Sequence, residues 1–347
     1  MAAYSYCIIT LFLISPLNCY AGNVTNIFDI RDEYNTVKRY VAIILFSLLL
    51  LYGIVSNILL IIVFCSKNTF YSHAFILISS QLIICAFLNF IPQVTIVLFE
   101  MIKTEITEAY EATWIHSILV SMNTFSFFAM LHFTLLLAAN RFVTMNLPKF
   151  SAFFESSKFY FLIVCLWLSS LVISLTEFHY CFKTFNASNL QWSLNCSKIT
   201  VESGAIFMKV RYFLVLSFPI AMFVTYIPIF FNMRHRRKSV TEFRKTSVTL
   251  RIFAGNGTMN LVKYERLMLI QAIIVCGAIE IQILCFNFLL KLSLKFIGKE
   301  AAIPVNIFIN CYVIFNGSML PTANLIFVER FRHDVKHAIV NLSYKFK

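Results

Sequence analysis

The sequence predicts an all-α membrane protein, a seven-transmembrane helix bundle with the N-terminus extracellular and the C-terminus cytoplasmic. Three observations lead there. Hydrophobic residues fill 59% of the 347 positions and charged ones only 13%, with a mean hydropathy of +0.78, where soluble chains carry about 25% charged residues. Apolar stretches free of Lys and Arg recur seven times, each long enough for a hydrocarbon core of ~30 Å at 1.5 Å per residue. The 29 Lys and Arg gather mainly on alternate connections.

Taken in order, Cys7 to Leu17 is apolar but too short to span, and it leads to Cys19, Tyr20 and Ala21. Residues 1–21 read as a signal peptide; because Met1 to Tyr6 lacks Lys and Arg, a greasy extracellular N-terminus is the alternative. An extracellular segment, 22–39, follows. The seven-helix domain, 40–328, contains Tyr40 to Cys65, Ala74 to Phe99, Trp114 to Ala139, Phe159 to Thr176, Tyr212 to Phe231, Leu267 to Leu290 and Ala301 to Val328. In lipid only a helix or a closed barrel satisfies every backbone N–H and C=O, and the ~10-residue alternating segments of a barrel are missing. The tail, 329–347, sets Phe331, Val335, Ile339 and Leu342 at helical spacing among Arg and Lys, an amphipathic helix for the inner leaflet.

With the N-terminus outside, most Lys and Arg fall on the inner side and all lie beyond the seven stretches, in keeping with the positive-inside rule. The densest run, Met233 to Arg266, is the third inner loop. It reads either as a surface for an intracellular partner or anionic lipid, or as the topology signal alone. Asn23, Asn186 and Asn195 head Asn-x-Ser/Thr sequences on the outer side, where glycosylation occurs, while Asn256, Asn316 and Asn341 fall inside or within a span.

Of the ten cysteines, only Cys181 and Cys196 lie in the second outer loop, Glu177 to Arg211, where an oxidising environment lets them pair with each other. One acid falls within a stretch, Glu280 of the sixth, close to Gln282. An ionisable side chain there costs ~2.5 kcal/mol or more, so Glu280 and Gln282 are candidate ligand contacts; a protonated Glu bonded to a neighbouring helix is the other reading. Asn57, Gln81, Asn89, Asn123, His132, Asn287, Asn310, Asn316 and Asn324 read as interhelical contacts. His132 has no metal-spaced neighbour, and no catalytic or nucleotide-binding motif occurs, so no enzyme, metal or cofactor is expected.

The third stretch ends in Ala138, Ala139, Asn140, Arg141 and Phe142, with Asn146, Leu147, Pro148 and Lys149 beyond. Gly53 and Asn57, Trp167, Pro219, then Lys263, Glu265, Arg266 and Gln271, and finally Leu320, Pro321, Thr322, Ala323 and Asn324 add further short motifs. Together they resemble the seven-helix G-protein-coupled receptors, most nearly the nematode chemosensory serpentine receptors of class X, over Tyr40 to His337. The sequence departs from rhodopsin-like receptors in three places: Gln81 stands near a usual Asp, the sixth stretch lacks a proline and the Cys-Trp-x-Pro switch, and the third lacks its outer cysteine.

What the resemblance implies is a receptor in the plasma membrane, such as that of a sensory cilium. It would bind an extracellular small molecule among the outer helix ends and activate a heterotrimeric G protein at the inner ends of spans three, five and six. Asn140 and Arg141 would serve coupling, Pro321 and Asn324 the activation motif; Arg141 read blandly is one more inner charge. The partners are the ligand, the G protein and the bilayer, with no nucleic acid. A ligand-gated channel of the insect odorant type, or a small-solute transporter, is the alternative; the external N-terminus argues against the first and the lack of an internal repeat against the second.

Overall fold

The computed structural model describes residues 29–30, 35–65, 71–102, 114–246 and 257–345. Its helices are α1 Thr36–Phe64; α2 His73–Pro92, carried on by a π-helical turn, Gln93–Leu98, and by Phe99–Ile102; α3 Trp114–Asn146; α4 Ser157–Tyr180; and α5 Val201–Thr246. After them come α6 Gly257–Leu284, prolonged by a π-helical turn, Cys285–Leu289, and Leu290–Phe296; α7 Ala302–Asn316; α8 Met319–Phe327; and α9 Glu329–Lys345. Strands β1 Phe182–Asn186 and β2 Gln191–Asn195 form an antiparallel hairpin between α4 and α5. Six helices are long and apolar enough to cross a bilayer, and the α7–α8 pair makes a seventh candidate. Apart from this hairpin the described residues are almost wholly helical, and the chain is of the all-α membrane class. The proposed signal peptide and Asn23 lie outside the described residues.

Helix boundaries and breaks have local causes. Ser72 caps α2, its hydroxyl accepting from the Phe75 N–H. Pro92 has no N–H for the Leu88 carbonyl, and the helix widens into its π-helical turn directly after it. In the second π-helical turn, Asn287 Nδ2 donates to the Ile283 carbonyl at 2.8 Å, a side chain intruding on the backbone ladder.

The sequence treats the seventh span as one continuous stretch, whereas α7 and α8 meet at 67° across Gly317 and Ser318. Pro321 cannot donate to the Gly317 carbonyl one turn back. Asn57 supplies the missing donor: its Nδ2 lies 3.1 Å from the Gly317 oxygen and 2.8 Å from that of Gly53. The two glycines also pinch the ring of Phe90, since a Cβ at Gly53 would fall 2.6 Å from Phe90 Cζ and one at Gly317 2.8 Å from Cε1. A ring pushed from either side meets the other.

α3 is the central helix and packs against α2, α4, α5 and α6. Its Phe128, Leu131 and Phe133 join Phe75, Ile78 and Ile279 in the main core. The apolar window of α3 is 56% buried, that of α5 only 17%, and α5 turns Phe213, Phe223, Phe230 and Phe231 outward as lipid contact requires. At the far end α9 buries Phe331 and Val335 in the same core, and Arg332 Nη1 donates to the Leu325 and Ile326 carbonyls that end α8. The tail helix is therefore fastened to the bundle through Phe331, Val335 and Arg332.

Candidate functional site

The hairpin is fixed over one end of the bundle at its base and at its tip. At the base, Cys181 follows α4 and is joined to Cys196, after β2, by a disulfide, and Gly204 of α5 abuts the Cys196 carbonyl so closely that a Cβ would lie 1.5 Å from its oxygen. At the tip, Asn306 and Asn310, one turn apart on α7, donate to the carbonyls of Asn189 (2.7 Å) and Leu190 (2.8 Å). Leu190 adopts φ 57° and is buried. With Phe185 and Ala187 it enters the apolar cluster that holds Phe46, Val97 and Ile303.

Under the hairpin, three helices and β1 contribute a charged cluster. Glu177, on the last turn of α4, is 4% exposed. One carboxylate oxygen accepts from the Thr124 hydroxyl of α3, and the other accepts from Arg211 Nε of α5 at 2.7 Å. Lys183 of β1 donates from Nζ to Asn123 Oδ1 (2.7 Å) and Thr124 Oγ1 (2.8 Å), and lies 5.1 Å over the Trp192 ring. The Arg211 guanidinium sits 6.0 Å from the centre of Phe128. Burial pulls the Lys183 ammonium down to about 8; the Glu177 carboxylate opposes that fall and the Arg211 charge adds to it.

A polar seam continues from this cluster along the three helices. Thr124, Phe128 and His132 recur every four residues on α3, so they share a face. Facing them on α4, Ser174 donates to the Ser121 carbonyl (3.1 Å) and Ser170 Oγ lies 2.9 Å from His132 Nδ1. Phe218, two turns below Arg211 on α5, meets the His132 ring edge-on at 4.8 Å.

Sequence reasoning missed this cluster because it stops a span at the first charge. The fourth stretch ends at Thr176 and the fifth begins at Tyr212, leaving Glu177 and Arg211 outside by one residue each. In the structure α4 runs to Tyr180 and α5 starts at Val201, so both belong to membrane-length helices, as do Lys38, Arg39, Arg141, Lys158, Lys209, Lys291 and Lys295. The seven apolar stretches themselves hold no Lys or Arg, but the helices run past them and carry these charges near their ends. A usable signal was present: an acid and a base at the inner borders of one loop.

Glu280 and Gln282 are not brought together. Two residues apart on α6, they point about 200° from each other. Gln282 is buried and accepts from Asn316 Nδ2, whereas Glu280 is half-buried beside the outward stripe of Ile273, Ile281 and Leu284. Asn316, Asn57, Met130, Thr134 and Ile279 line a small internal cavity with room for about one water.

At the opposite end from the hairpin, Arg141 is buried on the last turns of α3 with its guanidinium 4.8 Å over the Phe75 ring. The neighbouring Asn140 is 1% exposed, and its side-chain amide has no hydrogen-bond partner among the described residues. Asn232 of α5 donates to the Met145 carbonyl (2.8 Å) and the Asn146 side chain (2.6 Å), clipping α5 to α3. Asn324 Oδ1 accepts from the Tyr71 hydroxyl (2.6 Å) and Gln271 Nε2 (3.0 Å), so it joins α8 to α6 and to the start of α2. Pro321 is buried one turn earlier, at the bend. Asn186 and Asn195 are exposed at opposite ends of the hairpin strands. Among the described residues no three metal-ligating side chains converge.

Comparison with known proteins adds no relative: no protein-family model matches the chain, and no curated protein is significantly similar to it.

Proposed function

We propose that the chain is a chemosensory G-protein-coupled receptor of the plasma membrane, similar to the nematode serpentine receptors of class X. The hairpin end faces outward and the Arg141 end faces a heterotrimeric G protein. The observation that carries this reading is the contrast between the two ends of α3. One end meets a disulfide-tied hairpin and a buried charged cluster; the other ends in Asn140 and Arg141, both buried, where α5 and α6 converge. The orientation has the support of the charge distribution, because the hairpin end carries the usable glycosylation sequences and the opposite end the run from Arg234 to Arg266.

In this reading a small molecule binds near the hairpin and stabilises one of two arrangements of the bundle. α5 is the least buried span, and it touches α3 at the hairpin end through the Glu177 cluster and at the other end through Asn232. A shift of α5 can thus connect the two ends. Arg141→Ala is expected to abolish guanine-nucleotide-dependent signalling in a cell-based reporter while surface expression persists. Full signalling by the variant would defeat the reading, and ligand-evoked current independent of guanine nucleotide would replace it with a channel.

A further inference from the structure

We infer that the cluster under the hairpin binds a small organic monocarboxylate, whose two oxygens take the unoccupied N–H edge of Arg211. The inference rests on the receptor reading for its signalling consequence, but not for binding itself.

The cluster holds two cations and one carboxylate among the described residues, Arg211 and Lys183 against Glu177. Both Glu177 oxygens are committed, one to Thr124 and one to Arg211 Nε. Lys183 is hydrogen-bonded only to neutral acceptors, Asn123 and Thr124. One positive charge is therefore left over in a poorly solvated place, and an unpaired buried charge is costly.

Arg211 has the geometry to receive the balancing anion. A guanidinium carries five N–H donors, and that of Arg211 spends one on Glu177, with no other hydrogen bond among the described residues. Its side chain is 25% exposed while that of Glu177 is 5% exposed, so the free edge is the accessible part of the pair. Two parallel N–H groups match the two oxygens of a carboxylate. A surplus of one charge favours a monoanion over a phosphate ester, which would leave the cluster negative. The partly exposed ring of Trp192, beneath Lys183, offers an apolar surface for the organic part.

Benzoate and its uncharged counterpart benzamide are suitable probes, added to the full chain purified in lipid nanodiscs while thermal unfolding is followed. Benzoate is expected to raise the melting temperature saturably and benzamide to leave it unchanged. Arg211→Gln should weaken benzoate roughly ten- to hundredfold, the usual cost of a lost charge-assisted pair. Arg211→Lys, which keeps the ion pair with Glu177 and so guards against a folding defect, should weaken it less. Lys209→Gln, an exposed charge on the same helix, should change nothing. No benzoate effect on the wild type, equal effects of the two probes, or undiminished benzoate binding by Arg211→Gln would each overturn the site. Arg211-dependent binding with no guanine-nucleotide response would uphold the site and remove the receptor reading.

Discussion

The helices are joined by full charges under the hairpin and by neutral amides farther along. Glu177, Arg211 and Lys183 link α4, α5 and β1 through a carboxylate and two cations. Midway along the bundle, Asn57 bridges α1 to the α7–α8 bend and Gln282 pairs with Asn316. The difference follows the cost of burying charge, which is greatest at the bilayer centre and falls toward the ends of a span, where a long side chain can keep part of itself in water. Ion pairs therefore suit the ends of a bundle. Amides suit the middle, where each can give and accept a hydrogen bond without carrying a charge.

That contrast can be broken most strongly at its charged pole. Glu177→Ala leaves Arg211 and Lys183 facing each other without a counter-charge. It is expected to destabilise the purified protein by about 3 kcal/mol, the low end for a broken buried pair because Arg211 is a quarter exposed, as read from a denaturation midpoint. Little or no loss would mean that the cluster is not a strut of the fold. At the amide pole the expected effect is smaller: Asn57→Ala should cost about 0.6–1.7 kcal/mol, since it strips one donor from the Gly53 and Gly317 carbonyls and removes no charge. If the two variants cost the same, the difference between the poles is not energetic.

The finest test uses pH. Lys183 sits at about 8 in the folded chain against an ordinary 10.5, so the unfolded chain binds this proton more tightly. The penalty is fully present below about pH 8 and is relieved as pH rises toward 10.5, so stability gains with pH across that window. Melting temperatures of wild type and Lys183→Gln at about pH 7 and about pH 9.5 isolate this group, and the wild type should gain on the variant at the higher pH. A gap that stays constant with pH would show that Lys183 is not held in a desolvating site.

The amide middle was the more legible of the two regions. Asn57 and Asn316 stand out as polar residues in apolar stretches, and helical periodicity suffices to make them interhelical contacts. The number of spans was legible for the same reason, being a matter of apolar length. The bend between α7 and α8 was not, because Pro321 and Gly317 look like ordinary members of a long stretch until Asn57 is seen to serve the freed carbonyl. The charged cluster escaped because its members come from the borders of two spans and a loop, and a border drawn one residue away turns a largely buried interhelical pair into loop charges. Glu280 drew attention as an isolated acid, yet its turn on α6 points away from Gln282, which one-dimensional proximity conceals.

The grip on the hairpin tip has a consequence for how that loop is read. Asn306 and Asn310 hold the carbonyls of Asn189 and Leu190, not their side chains. The latch therefore counts residues instead of recognising them. Exchanging the side chain of Asn189 costs its bond from the Gln191 N–H but removes neither anchoring oxygen, whereas inserting one residue before Leu190 breaks the spacing of the two carbonyls that the amides of Asn306 and Asn310 hold. The chemistry presented at the tip can diversify while its length stays fixed.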